Sequence, residues 1–170
     1  MSDAQAVVPA QKYYYDYGVP ATKQYEGFRD TVYKDTEGNP TIGYGFNLND
    51  PNMRQMIPAD VISGQRPLAR DEADRIFIPR YNQAARDAFT YLGRDNFMKL
   101  DPERQAIIVD MAYNMGFDKL SGFKALKQAI TDGDYIKAAS EMKNSKWYDQ
   151  VGNRSKEHVL KFMGDANALP

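Results

Sequence analysis

Residues 26–47, EGFRDTVYKDTEGNPTIGYGFN, carry side chains suited to cleaving a glycosidic bond. That reaction needs one protonated carboxyl group, which donates to the leaving oxygen, and one carboxylate on the other side of the sugar. Glu26 and Asp35 are the candidates for these two groups. Thr41 adds a hydroxyl that can both donate and accept a hydrogen bond, which suits it to holding a water molecule. The segment therefore predicts an active site for sugar hydrolysis.

The predicted surroundings of the two carboxyl groups give them different roles. Glu26 stands where a helix meets a hairpin, so we expect partial burial to raise its pKa and keep it protonated. Asp35 stands on a turn, where water should keep it ionised. The alternative is that both are ordinary solvated residues, since the chain has 23 acidic side chains. Solvation is the expected state of Asp30, Glu37 and Asp50.

Two short strands joined by a turn are expected to hold these groups. β-Branched and aromatic residues at 31–33 predict a first strand, residues 35–40 are turn formers, and the alternation over 41–46 predicts a second strand. We interpret Gly43 and Gly45 as points where the backbone closely approaches a saccharide, because glycine otherwise weakens a strand. A bulge or a turn is the alternative explanation for both glycines.

The rest of the chain predicts an α+β fold with its helices segregated from its strands. We expect a partly irregular leader over residues 1–20 and a single catalytic domain over 21–170. Within that domain, a small β-hairpin lobe is expected over about 21–66 and a larger helical lobe over about 67–170. The active-site cleft is expected between the two lobes.

Proline, glycine and capping residues predict the helix limits. A long helix is expected from Ala69 onward, with a bend at Pro79. Asp101 followed by Pro102 predicts the start of another helix, and Gly116 predicts its end. Shorter helices are expected over 123–131, 134–142 and 153–163.

Further motifs follow the hairpin in a fixed order. They are DEADRIF at 71–77, VDMAYNMG at 109–116, GF at 122–123 and SKWYDQVGNR at 145–154. With the spacing of Glu26, Asp35 and Thr41, they closely resemble the phage-type lysozymes, glycoside hydrolase family twenty-four, over residues 25 to about 163. The resemblance implies a lysozyme-like fold and hydrolysis of the β-1,4 bond between N-acetylmuramic acid and N-acetylglucosamine in peptidoglycan. It also implies an inverting mechanism in which Asp35 and Thr41 position the attacking water.

The same resemblance implies roles for residues of the helical lobe. Arg154 is similar to the family arginine that pairs with the catalytic glutamate, and such a cation would lower the pKa of Glu26, so burial has to compete with it. Asn114 is expected to reach toward the substrate. Phe123 is expected to line the helical wall of the groove, with core packing as the alternative. Trp147 is expected in the core rather than as a platform for a sugar.

Two features depart from the family pattern. Phe46 stands where the family often has a histidine, so an apolar contact is expected there in place of an ion pair. The leader also holds a dense cluster of tyrosines, which we expect to pack against the helical lobe, with docking to a partner as the alternative. These tyrosines are Tyr13, Tyr14, Tyr15 and Tyr17.

Composition limits the classes of function. The 170 residues suit one domain, and a hydrophobic content of 42% is enough for its core. With no cysteine and a single histidine, His158, the chain predicts catalysis without a metal or another cofactor. The net charge of −1 gives no general attraction to nucleic acid. A monomer acting on peptidoglycan glycan strands is expected.

The N-terminal sequence MSDAQAVVPAQKYYYDYG resembles no export signal, and no long apolar run predicts a membrane span. We therefore expect an endolysin that accumulates in the cytoplasm of a host bacterium. It would reach the wall after a separate holin permeabilises the membrane, without contacting that holin directly. Three alternatives stay open: a virion-associated lysozyme, a non-catalytic peptidoglycan-binding tail module, and a hydrolase directed at chitin.

Overall fold

The computed structural model describes residues 8–164, with side chains described from Tyr14 onward. Within that range the chain is mainly helical and contains one three-stranded antiparallel sheet, so the predicted α+β class is confirmed. The chain divides into two compact units. One is Pro20–Tyr81, and the other combines the described residues up to Val19 with those from Asn82 onward.

The sheet belongs to the unit Pro20–Tyr81 and follows directly on the first helix. In this sheet the strands lie in chain order, and each is antiparallel to the next. Tyr33 lies opposite Thr41 in the register. The elements are α1 (Val8–Glu26), β1 (Arg29–Lys34), β2 (Pro40–Gly43) and β3 (Phe46–Asn47).

The second strand is shorter than its alternating sequence predicts. Instead of one strand over 41–46, β2 ends at Gly43 and a tight turn at Tyr44 and Gly45 leads into β3. Both glycines have positive φ, +66° at Gly43 and +75° at Gly45, a conformation that residues with a side chain rarely adopt. A turn is therefore the correct description of the backbone here.

Short helices follow the sheet, as the prolines predict. They are α2 (Pro51–Met56) and α3 (Ala59–Ile62), and the long helix α4 (Arg70–Leu92) comes next, with Pro79 inside it. Asp50, expected to be merely solvated, caps α2 by accepting a hydrogen bond from the Asn52 backbone N–H.

Contacts between α1, the β2–β3 turn and α4 fix the end of α1. The Lys23 Nζ lies 2.8 Å from Asp74 Oδ1 and 5.4 Å from the ring centres of both Tyr44 and Phe77. These rings are buried, so the ammonium group of Lys23 lies over two packed aromatic rings while it also meets the carboxylate of Asp74. Since Glu26 is the last residue of α1, this packing also places its side chain.

The second unit is helical throughout its regular elements. Asp101 caps α6 (Pro102–Met115) by accepting from the Arg104 N–H at 2.9 Å, and Gly116 ends this helix with a φ of 82°, as predicted. Three short helices in this unit were not predicted: α5 (Arg94–Lys99), α7 (Phe117–Ser121) and α10 (Lys146–Val151). The elements are α5 (Arg94–Lys99), α6 (Pro102–Met115), α7 (Phe117–Ser121), α8 (Lys124–Thr131), α9 (Tyr135–Lys143), α10 (Lys146–Val151) and α11 (Asn153–Met163).

The leader, expected to be partly irregular over residues 1–20, is helical where the structure describes it. Helix α1 starts at Val8 and continues through Pro20. Tyr14 is fully buried and meets Phe97 edge to face at 5.8 Å, so one tyrosine of the cluster packs as expected. Tyr17 is 64% exposed. The Tyr13 side chain lies outside the described part of the chain. No helix among residues 8–164 is long and apolar enough to cross a membrane.

Candidate active site

Glu26 ends α1 with a half-buried side chain, and the β2–β3 turn approaches it closely. A Cβ placed on Gly45 would lie only 2.9 Å from Glu26 Oε2. Real Cβ atoms essentially never come that near another heavy atom, so the absence of a side chain at this position leaves room for the carboxylate. The close approach at Gly45 is thus to Glu26 itself; the predicted approach to a saccharide stays a prediction.

Asp35 lies in the turn between β1 and β2, where it accepts several hydrogen bonds. Its Oδ1 accepts from the backbone N–H groups of Glu37 at 2.9 Å and Asn39 at 2.8 Å, and its Oδ2 accepts from Asn39 Nδ2 at 3.3 Å. The Asn39 backbone bond is the main reason that the pKa of Asp35 is lowered from its usual value; the Asn39 side chain and the remaining turn N–H groups add to it and outweigh desolvation. These hydrogen bonds therefore favour the ionised form of Asp35, in the direction that the sequence predicts.

Thr41 is 4% exposed in β2, and its hydroxyl donates to the Asn39 carbonyl oxygen at 2.9 Å. The hydroxyl proton is thereby committed, while the oxygen keeps lone pairs that can accept a hydrogen bond. Thr41 can therefore accept a hydrogen bond from a water molecule. The sequence predicts a hydroxyl that both donates to the water and accepts from it.

Tyr33 was predicted only as a strand former, yet its ring lies in the field of both carboxyl groups. Burial raises the pKa of Tyr33, Arg29 lowers it, and the negative charges of Asp35 and Glu26 raise it further. The Arg29 guanidinium lies 4.7 Å from the ring centre. Glu26, Asp35 and Thr41 all lie in the unit Pro20–Tyr81, and the charges of both carboxyl groups act on Tyr33 of the same unit.

Gly43 is accounted for by packing inside this unit. A Cβ at Gly43 would lie 2.7 Å from the Phe46 ring and 3.2 Å from Leu68. Phe46 is 2% exposed and meets Tyr44 edge to face, so the apolar contact expected at this position is confirmed. The proposed saccharide contact of Gly43 is not needed to explain why a glycine stands there.

Asn114 and Phe123 line one cavity of about 710 Å³ in the helical unit, together with Trp147. The Tyr91 hydroxyl donates to the Phe123 carbonyl oxygen at 2.5 Å, which fixes the loop before α8. Trp147 is buried, as expected for a core residue. Lys119 and Glu141 put both signs of charge on the cavity wall.

Arg154 is buried in the helical unit on a carboxylate that the sequence analysis did not single out. Its Nε and Nη2 donate to the two oxygens of Asp110 at 2.8 and 2.7 Å, and His158 Nε2 lies 2.5 Å from Asp110 Oδ2. Trp147 stacks on His158 with an interplanar angle of 10°. The predicted pairing of Arg154 with the catalytic glutamate stays a prediction.

Opposing effects act on this buried carboxyl group. Burial raises the pKa of Asp110, but hydrogen bonds from His158 and Arg154 and the charge of Arg154 together hold it well below its usual value. The available signal was an aspartate inside the apolar run IIVDMA, which indicates a buried partner of opposite charge.

The sequence model of the family described as "Phage lysozyme" matches residues 23–161. The chain belongs to the phage lysozyme family. This match covers every candidate site residue in both units, from Glu26 to Arg154. Among residues 8–164, no group of three or more histidine, aspartate or glutamate side chains is arranged to hold a metal ion.

Individual relatives agree with that family. The chain is 30% identical over 142 residues to "Probable T4-type lysozyme 1" and 27% identical over 150 residues to "Probable T4-type lysozyme 2", both from Dictyostelium discoideum. These matches cover 76% and 81% of this chain and 84% and 88% of the relatives. The chain is also 27% identical over 141 residues to "Pre-baseplate central spike protein Gp5" of Enterobacteria phage T4, covering 76% of this chain but spanning only 24% of that protein. The chain is accordingly a glycoside hydrolase of the lysozyme type.

Proposed function

We propose that this protein is a muramidase that hydrolyses the β-1,4 bond between N-acetylmuramic acid and N-acetylglucosamine in peptidoglycan, with inversion at the anomeric carbon. The observation that carries the proposal is the arrangement in the sheet-bearing unit. Glu26 faces the Gly45 backbone, and Asp35 and Thr41 both bind Asn39. These are the carboxyl groups and the hydroxyl that the reaction needs.

In the proposed reaction Glu26 gives its proton to the glycosidic oxygen as the bond from that oxygen to the anomeric carbon breaks. A water held by Asp35 and Thr41 attacks the same carbon from the opposite face, and its proton passes to Asp35. Exchange with solvent then returns a proton to Glu26 and removes one from Asp35. Because the pKa of Asp35 is lowered, it is a weak base, so its main contribution is to orient the water and to stabilise positive charge on the sugar.

The helical unit supplies the remaining parts of the proposal. Asn114 and Phe123 would bind substrate, and their shared place on the wall of the 710 Å³ cavity supports that role. Arg154 would act as the partner of the catalytic glutamate. Its burial and its bidentate bond to Asp110 support this role, because they hold the guanidinium in one orientation.

The test is Glu26→Gln, with Glu37→Gln as the matched control on the exposed turn. The amide keeps the shape of Glu26 but cannot donate an acid proton, so turnover of peptidoglycan should fall by about 10²–10⁴. Glu37→Gln should be as active as wild type. Lysis of permeabilised cells by Glu26→Gln within a few-fold of the wild-type rate would contradict the assignment.

The product identifies the bond and the stereochemistry. Mass spectrometry should find N-acetylmuramic acid at the new reducing ends, and NMR at early times should show the α-anomer. An early β-anomer, or a sugar attached to Asp35, would contradict the inverting mechanism. Turnover of chitin as fast as peptidoglycan would favour the chitin-directed alternative.

We propose further that the muramidase serves lysis of a host bacterium from inside. The likeness to the spike protein favours a second candidate, a virion-associated lysozyme. Mass spectrometry of purified particles separates them, because a virion component should be present at a fixed copy number per particle. Induction in culture with and without chloroform or a co-expressed holin should show lysis only where the membrane has been breached.

A further inference from the structure

Asn39, in the turn before β2, contacts both residues proposed to hold the water. Its backbone N–H and its Nδ2 donate to the two carboxylate oxygens of Asp35, at 2.8 and 3.3 Å. Its carbonyl oxygen accepts the Thr41 hydroxyl proton at 2.9 Å. Asparagine is also a common turn residue, so these contacts have to be divided between backbone and side chain.

The backbone contacts of Asn39 would survive most substitutions, whereas two contacts depend on its amide. Nδ2 donates to Asp35, and Oδ1 accepts from Asn49 Nδ2 at 3.0 Å. The second bond fixes which way the amide faces, because Oδ1 toward Asn49 leaves Nδ2 toward Asp35. Asn49 is held in turn by its own N–H, which donates to Asn47 Oδ1 at 2.8 Å.

We propose that Asn39 is a positioning residue for the water-holding pair, with Asn49 orienting its amide. Asn39 sets the direction of the Asp35 carboxylate and, through its carbonyl, the direction of the Thr41 lone pairs. This inference rests on the proposed function, in which Asp35 and Thr41 hold the attacking water. It adds Asn39 and Asn49 as residues that act on the water through Asp35 and Thr41.

A turn-forming role for Asn39 would predict a different outcome from a positioning role. A residue that only forms the turn affects folding, and its loss lowers the melting temperature without changing the chemistry of the folded enzyme. A residue that binds the carboxylate also changes when that carboxylate takes up a proton, since a hydrogen bond to the ionised form favours ionisation. The pH dependence of turnover therefore distinguishes the two roles.

Several other charged or titratable groups lie near Asp35 in this unit. Tyr33 on β1 senses Asp35, and Arg29 and Glu26 act on Tyr33. Lys34 and Glu37 flank Asp35 along the chain, and Glu37 contributes its backbone N–H to the carboxylate. The Asn39, Asn49 and Thr36 variants below replace none of these groups, so a change in the acid limb of their pH profiles reports on the amide.

The experiment compares Asn39→Ala, Asn39→Asp and Asn49→Ala, with Thr36→Ala as a matched control on the exposed side of the same turn. Losing the amide should lower kcat by roughly 3- to 10-fold with little change in KM, because the bond acts on the water rather than on the sugar. The acid limb of the kcat–pH profile should move to higher pH. Asn39→Asp should move it further than Asn39→Ala, because a second carboxylate opposes ionisation of Asp35.

Asn49→Ala should shift the limb in the same direction by less, and Thr36→Ala should leave it unchanged. Melting temperatures show whether each variant is folded, and Asn49→Ala keeps the test valid if the Asn39 variants do not fold. Wild-type pH profiles in folded Asn39 and Asn49 variants would overturn the positioning role. Glu26→Gln distinguishes failure of the proposed function from failure of the positioning role. Full activity of Glu26→Gln would overturn the proposed function. An inactive Glu26→Gln together with unchanged pH profiles in the Asn39 variants would overturn only the positioning role.

Discussion

A single added methyl group tests the close approach between Gly45 and Glu26. Gly45→Ala would place a Cβ 2.9 Å from Glu26 Oε2 at a φ of +75°. The backbone strain should lower the free energy of unfolding by about 1–2 kcal/mol. Activity should fall by more than that loss explains, because the Glu26 carboxylate has to move. The measurement is kcat at a temperature where the variant is fully folded, beside a urea titration.

Gly64→Ala is the matched control for that prediction. Gly64 has a φ of +80°, but a Cβ there would have no neighbour within 4 Å. The Gly64→Ala variant should lose about as much stability as Gly45→Ala and keep the kcat of wild type. If Gly45→Ala is as active as Gly64→Ala, the placement of Glu26 does not depend on the glycine.

Asp110 gives a prediction on the pH dependence of stability. Asp110→Asn leaves Arg154 and His158 buried without their carboxylate, and breaking a buried ion pair in this way costs about 3–5 kcal/mol at neutral pH. The pKa of Asp110 is below its usual 3.8 in the folded state, so its contribution is present above about pH 4 and is lost as the pH falls through the lower, folded value. The difference in free energy of unfolding between wild type and Asp110→Asn should therefore become smaller below pH 4.

Urea unfolding of wild type and Asp110→Asn at neutral and acid pH measures that difference. Asp118→Asn, at the exposed start of α7, is the control and should match wild type throughout. A gap that stays constant with pH would mean that Asp110 contributes through shape alone.

At the scale of elements, the N-cap of α6 is the clearest local signal in the chain. Asp101→Ala should lower the free energy of unfolding by about 1 kcal/mol, because the Arg104 N–H loses its acceptor. Asp101 also forms an ion pair with the Arg104 side chain. Asp101→Asn keeps the cap and removes that charge, so it should stay close to wild type. Equal losses in the two variants would assign the effect to the ion pair.

Elements with a local signal were predictable, and those set by packing were not. Caps and glycines predicted α6 and its end, and the hairpin before Thr41 followed from its turn residues. Helices α5, α7 and α10 are only five or six residues long, too short to show a period. The prediction for the leader did not include the helix that the structure describes from Val8, in which tertiary packing buries Tyr14 against Phe97.

The candidate site also contains residues that the sequence predicts and residues that it does not. Glu26, Asp35 and Thr41 could be found because chemistry, order and turn signals coincide in one short segment. The role of Asn39 could not, because it depends on where its backbone and amide point after the turn has formed. The Asp110, Arg154 and His158 cluster brings together residues 44 and 48 positions apart, a proximity that only tertiary packing creates.

For the whole molecule, the net charge of −1 predicts how activity responds to salt. Bacterial walls are anionic, and a nearly neutral enzyme has no long-range attraction that salt could screen. The lytic rate should therefore change by less than roughly threefold between about 0.02 and about 0.2 M salt. A steep fall would point to local attraction by lysines on the wall of the 710 Å³ cavity, such as Lys119 and Lys124, and Lys124→Ala should then weaken the salt dependence.

The buried cluster restricts the order in which this chain can change. Replacing His158 first leaves Asp110 and Arg154 as a matched pair, whereas replacing Asp110 first removes the carboxylate that both the guanidinium and the imidazole contact. Apolar residues of similar volume can replace a buried ion pair without loss of stability, but only when the whole pair is exchanged. As a first substitution at these three positions, loss of His158 should therefore be tolerated better than loss of Asp110. Related proteins that have other residues at these sites should have lost the His158 imidazole before the Asp110 carboxylate.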